Sequence, residues 1–172
     1  MKKCIFIVAA MLLAFNAGAQ KLQKPVIDKI TGDTTLETKE EPLQSKLSLS
    51  LHLIGCSILK GRGVYLLYFH TKEAGDWDFV IQDGYAAVIK FTNGKLLQLN
   101  TVGQHYSKIM YDATPVFSDT SIPYSISNDD IDQLKNSKIA VIRINTSVGS
   151  FDYSVSDARS EIVKKQLDLI TK

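Results

Sequence analysis

The chain has 172 residues, 20 basic and 18 acidic side chains, and a hydrophobic content of 45%. That is enough for one domain with a sizeable core and not for two. Charges so nearly balanced leave no electrostatic footprint for nucleic acid or an anionic membrane surface.

Residues 1–19 read as a secretory signal peptide. Lys2 and Lys3 form a positive start, Cys4 to Phe15 an apolar run, and Ala17-Gly18-Ala19 a small-x-small cleavage site before Gln20. The apolar run is shorter than the roughly 20 residues of a membrane-spanning helix. Cys4 precedes that run instead of marking the cleavage point, so it is misplaced for lipid attachment. The expected product is exported and soluble, periplasmic or extracellular, with no membrane span after cleavage. Taking Lys2 and Lys3 from the 20 basic side chains leaves 18 against 18 acidic ones. Cys56 is then the sole cysteine, so no intrachain disulfide can form and a core must supply the stability.

Residues 20–46 are polar and suggest an N-terminal arm, with Val26 to Glu37 as an edge strand interrupted by Gly32. Leu47, Leu49, Leu51 and Leu53 alternate with Ser48, Ser50 and His52, which predicts a strand with one buried face. Val64 to His70 is apolar on both faces and reads as a central strand. Thr71 to Asp78 reads as a polar loop holding the single tryptophan, Trp77.

Phe79 to Phe91 and Lys95 to Val102 flank Asn93-Gly94, a strong hairpin signal. A two-residue loop would mix polar and apolar groups on each face. A three-residue loop with Gly94 at a bulge pairs Ile89 with Leu97 and Ala87 with Leu99, gathering apolar groups on one side, and is the expected register. A strand over Lys108 to Phe117 breaks near Pro115, and Ile122 to Ile126 is a short extended piece. Ser127 then caps a short helix, with Ile126 and Ile131 placed as a hydrophobic staple and Asp129 and Asp130 in the first turn.

The last stretch predicts strand, turn, strand, helix. Ile139 to Asn145 is apolar on both sides through Ile142 and should be covered on both faces there. Phe151, Tyr153 and Val155 share the buried face of the next strand. Ser156 or Asp157 is placed to cap a final helix striped by Ile162, Val163, Leu167, Leu169 and Ile170. The sum is a single antiparallel α+β domain over 47–172. Its sheet of seven to nine strands is strongly bent or closes into a partial barrel, with one short helix and a C-terminal helix packed on it.

Candidate chemistry is sparse. Cys56 with His52, His70 or His105 could pair a nucleophile with a base, but its setting beside Gly55 lacks a feature that lowers a thiol pKa, and a buried small hydrophobe is the simpler reading. Asp76, Asp78 and Asp83 have Asp-x-Asp spacing without the other ligands of a calcium loop. Gly61-Arg62-Gly63 joins two strands and does not open a helix, so it is a turn and not a phosphate cradle. No cofactor and no metal site is expected. Trp77 between Asp76 and Asp78, with Tyr85, Tyr106 and Tyr111 nearby in sequence, could instead present an aromatic platform to a sugar or a partner.

The layout resembles the small, exported, uncharacterised proteins abundant in Bacteroidota. The resemblance rests on Ala17-Gly18-Ala19-Gln20, on Asp28 to Thr35, on Tyr124-Ser125-Ile126-Ser127 and on Ile139 to Asn145. It implies export, and also that Asp33-Thr34-Thr35 is similar to an O-glycosylation acceptor; it carries no chemistry over. The expected function is therefore a non-enzymatic binding or interaction domain, with an unidentified protein or small ligand of the cell envelope as its partner. The alternatives are a small-ligand carrier with a barrel-like interior, or an enzyme using Cys56 or the Asp76/Asp78/Asp83 loop.

Overall fold

The computed structural model describes residues 21–44, 52–113 and 115–172. The expected signal peptide, and the alternating strand up to Leu51, lie outside the described residues. The strands, in chain order, are β1 (Val26–Ile27), β2 (Thr34–Glu37), β3 (Glu41–Pro42), β4 (His52–Gly61), β5 (Val64–Ala74), β6 (Val80–Ile81), β7 (Ala86–Phe91), β8 (Leu96–Asn100), β9 (His105–Tyr106), β10 (Lys108–Met110), β11 (Phe117–Ile126), β12 (Ile139–Thr146) and β13 (Gly149–Ser154). Helix α1 (Asn128–Asn136) precedes β12, and a single 3₁₀ turn (Asp157–Arg159) precedes helix α2 (Ile162–Ile170).

Every pairing is antiparallel. One curled sheet runs β1-β2-β4-β5-β11-β10, with β3 also paired to β4, and a second runs β13-β12-β7-β8. The two meet where Thr101, just past β8, bridges Tyr124 of β11, and where Val102 N–H donates to the Pro123 carbonyl at 3.0 Å. The result is the α+β half-barrel that the alternation implied. Its interior is filled by side chains from both sheets, among them Ile58, Leu67, Phe69, Ile89, Leu99, Tyr124 and Ile142.

The Asn93-Gly94 hairpin has the bulged register: Ile89 pairs with Leu97 and Ala87 with Leu99. Gly94 sits at φ +83°, the left-handed conformation the bulge requires. Ser127 forms a full capping box with Asp130 at the start of α1. β12 lies between β7 and β13, so it is central as its apolar run implied.

Several boundaries differ. Val26 to Glu37 is a hairpin, not one edge strand, because the Asp28 carboxylate accepts the Ile30 and Thr31 N–H groups and Gly32 turns the chain at φ +75°. Phe79 to Phe91 is divided by a turn in which the Tyr85 N–H donates to the Gln82 carbonyl. β11 is ten residues long, where the sequence suggested only a short extended piece over Ile122 to Ile126. Proline withdraws one N–H from a ladder, but Pro123 still supplies its carbonyl to Val102. The final helix starts later than Ser156, which heads the 3₁₀ turn and makes no side-chain cap bond.

Helix α2 is held by a polar clamp as well as by its stripe. Gln166, wholly buried, donates to the carbonyls of Lys39 and Cys56, each at 3.0 Å, and accepts the Cys56 thiol at 3.3 Å. One amide side chain thus joins the helix to β4 and to the segment leading into β3.

Candidate functional site

The half-barrel has a polar end. Along β5, Leu67, Phe69, Thr71 and Glu73 are all buried, alternating with more exposed neighbours. Thr71 to Ala74 therefore continues the strand instead of forming a loop, and the inward positions change from apolar to polar as the strand approaches its end. Across the register, Glu73 lies opposite Ser118 and Thr71 opposite Thr120 on β11, and both partners are buried. On the other side Glu73 pairs with His52, the first residue of β4.

Glu73 has no solvent exposure. Its carboxylate accepts the Tyr153 hydroxyl from β13 and contacts Nδ1 of His52. Burial raises the pKa of the Tyr153 phenol, and the adjacent Glu73 charge raises it further. The phenol thus stays a donor at every physiological pH. Tyr124 is raised by burial too, and its hydroxyl has no hydrogen-bond partner among the described residues. The His52 side chain is 47% exposed, so the buried carboxylate is linked to the surface through one imidazole.

Residues 75–79 form a strap across this end. The Gly75 N–H donates to the Val116 carbonyl at 2.8 Å, and Ser118 Oγ donates to the Gly75 carbonyl at 3.0 Å. Ser107 Oγ donates to the Trp77 carbonyl at 2.8 Å and accepts the Phe79 N–H at 2.9 Å. Beyond the strap, Val80 N–H donates to Ser147 Oγ and the Ser147 N–H returns to the Val80 carbonyl. The segment is fixed to two other parts of the chain, and the strand that follows it to a third.

Trp77 is 45% exposed. Its indole N–H is already used, donating to the Ala74 carbonyl at 2.9 Å, and its ring meets Phe151 edge-on at 5.9 Å between centroids. Phe151 in turn lies 6.2 Å from the His52 ring and 5.5 Å from Phe79. A continuous aromatic path thus leads from the exposed indole to the histidine that contacts Glu73.

The other sequence candidates fall elsewhere. Asp76 and Asp78 are exposed on either side of Trp77, while Asp83 accepts the Gly103 N–H at 2.8 Å and serves a turn. Tyr85 packs against the core and lines a separate depression with Asn145 and Ser150. No ring contact joins Tyr85, Tyr106 or Tyr111 to Trp77 among the described residues; Phe151 takes that place. Cys56 is wholly buried, and burial pushes its thiol pKa well above the ordinary range. Arg62, at φ +50° beside Gly63 at +76°, occupies the turn between β4 and β5 and pairs with Asp33 at 2.8 Å. No group of three or more His, Cys, Asp or Glu side chains fit to hold a metal occurs among the described residues.

Glu73, Tyr153 and Phe151 were not singled out by the sequence. Glu73 looked like one more loop charge beside Lys72, and only the two-residue spacing from Phe69 through Thr71 hinted that it turns inward. No helix among the described residues is long and apolar enough to cross a membrane. No family model, no curated protein and no solved structure matches the chain.

Proposed function

We propose that the protein is an exported binding domain, not an enzyme, and that its recognition surface is the Trp77 strap over the polar end of the half-barrel. The observation that carries this reading is the state of Trp77. The ring is half-exposed yet immobilised, with its N–H spent on Ala74 and a T-shaped contact to Phe151. With its N–H used, such a ring offers a ligand apolar ring surface and no donor. It suits a molecule with saturated C–H faces, and the flanking Asp76 and Asp78 carboxylates can accept hydroxyl hydrogens. The ligand class is a carbohydrate, free or carried by an envelope partner.

Catalysis is the weaker reading. The Cys56 thiol is buried and its pKa raised, so it supplies little thiolate. Glu73 is enclosed by Tyr153 and His52 and has no exposed surface to offer a substrate. The carrier reading has no support from an interior occupied by Phe69, Tyr124, Ile89 and Leu99.

Because Trp77 is the single tryptophan, its emission reports directly on this surface. Titration with a panel of neutral oligosaccharides is expected to give a saturable change in that emission. Calorimetry with the same sugar is expected to lose the binding heat in Trp77→Ala and to weaken it in Asp78→Asn. Binding that persists unchanged in Trp77→Ala would remove the strap as the recognition surface.

A further inference from the structure

The outer face of the β13-β12-β7-β8 sheet carries a second surface, independent of the Trp77 strap. An antiparallel sheet with one face in solvent normally presents polar residues outward. Here two rows of side chains cross the four strands. One row runs Asp152, Arg143, Val88, Gln98, and the next runs Ser154, Val141, Lys90, Leu96. Val88 and Val141 sit at the centre, and Leu96 stands 62% exposed at one end. These positions are apolar where the pattern calls for polar ones. Val141 belongs to the run whose sequence called for cover on both faces.

The trough over these residues is about 220 Å³ and is lined by Val88, Lys90, Leu96, Val141, Arg143 and Asp152. Its charges are not equivalent. Arg143 is held by Asp152 through two bonds of 2.7 Å, which fixes its guanidinium and neutralises it. The Lys90 ammonium has no hydrogen bond or ion pair among the described residues. An apolar floor therefore carries one uncompensated positive charge, between Val141 and Leu96.

The dimensions identify the occupant. With strands about 4.8 Å apart, four strands span roughly 14 Å, the length of about four extended residues at ~3.3 Å each. A small molecule is bound in a pocket that encloses most of it, commonly roughly 300–1,000 Å³. A trough that is smaller, open and long suits a chain lying across it. We propose that this face binds a short extended peptide segment of a partner, apolar and acidic in composition, whose apolar side chains rest on Val88 and Val141 and whose carboxylate meets Lys90.

The test uses acetyl-Leu-Glu-Leu-Glu amide, followed by amide chemical shifts in the ¹⁵N-labelled protein. Saturable shifts confined to β7, β8 and β12 are expected. Affinity should fall about tenfold or more for the Leu-Lys-Leu-Lys peptide and for the Lys90→Glu protein. Lys90 is exposed, so this variant is expected to keep the wild-type circular dichroism spectrum. Trp77 emission should stay constant throughout, which separates this surface from the strap. Equal binding of both peptides, or unchanged binding by Lys90→Glu, overturns the proposal. Concentration-dependent self-association that shifts the same amides, and that the peptide does not displace, also overturns it by giving the face to a second copy.

Discussion

The Tyr153 hydroxyl donates to the carboxylate of Glu73, joining the second-to-last residue of β13 to the second-to-last residue of β5 across the interior of the half-barrel. Both residues are buried, and they lie 80 positions apart. A carboxylate without solvent depends on the donors that replace its water. Tyr153→Phe is therefore expected to destabilise the fold by about 1–3 kcal/mol, the usual cost of leaving a buried polar group short of a partner. Urea unfolding measures this. A double-mutant cycle with Glu73→Gln should show coupling between the two positions, and additive effects would mean that the contact contributes little.

Gln166 makes a comparable demand. Its amide satisfies two carbonyls from separate segments and accepts a thiol. Gln166→Leu keeps the bulk but leaves the Lys39 and Cys56 carbonyls without their donor. The expected loss is about 1–3 kcal/mol in chemical denaturation. Leu169→Ala, at a half-buried position of the same helix, should cost less. If the order reverses, the apolar stripe and not the clamp holds α2.

The Cys56 thiol is expected to be inert in the folded protein. It is buried, its Sγ hydrogen is donated to Gln166, and its pKa is pushed up by burial. Aromatic disulfide reagents should label it only as fast as the chain opens, and fully in denaturant. Rapid labelling of the native state would show that β4 opens locally without global unfolding.

Three exposed aspartates should each add a small, solvent-screened share to the acid response. Hydrogen bonds from the Ile30 and Thr31 backbone lower the pKa of Asp28, the Thr31 hydroxyl and Arg62 lower Asp33, and Arg143 lowers Asp152, each from an ordinary 3.8. A carboxylate with a depressed folded pKa contributes stability that is complete above its unfolded value. That contribution is lost as pH falls through the folded one. Stability should thus be flat with respect to these groups above about pH 5 and fall below about pH 4. Arg143→Met should make the low-pH limb shallower. An unchanged limb would assign the acid response to other groups.

Gly75 connects backbone geometry to the recognition surface. It sits at φ +111°, and a Cβ there would stand 3.0 Å from Nε1 of Trp77. Gly75→Ala is expected to displace the indole from its bond to Ala74, shift the emission maximum, and weaken any ligand that stacks on Trp77. An unaltered spectrum would mean that the strap adapts without moving the ring.

The legible features of this chain were those decided by neighbours in sequence. Ser127 and Asp130 meet within one turn, and Gly94 sets its own hairpin, so the N-cap and the bulged register could be read directly. Glu73 could not. Its side chain turns inward because β5 runs on beyond His70, and β5 runs on because β4 and β11 flank it over its full length. The donor that makes its burial tolerable comes from residue 153. Phe151 was assigned to a buried face, yet its role beneath Trp77 depends on a strap fastened by Ser107, Ser118 and Val116. Patterns report which face of an element is apolar; they do not report which distant side chain arrives there.

The span between Glu73 and Tyr153 also orders events in time. During synthesis, β4 and β5 can pair as soon as Ala74 has emerged, yet the carboxylate on β5 then faces an unfinished interior. It stays in water until β13 has been made and delivers the phenol. Until then, desolvating that end of the sheet is opposed by a carboxylate that has its His52 contact but not its phenol donor, which delays packing of the half-barrel. Chains truncated before Tyr153 should therefore remain open and protease-sensitive, even with the three longest strands present.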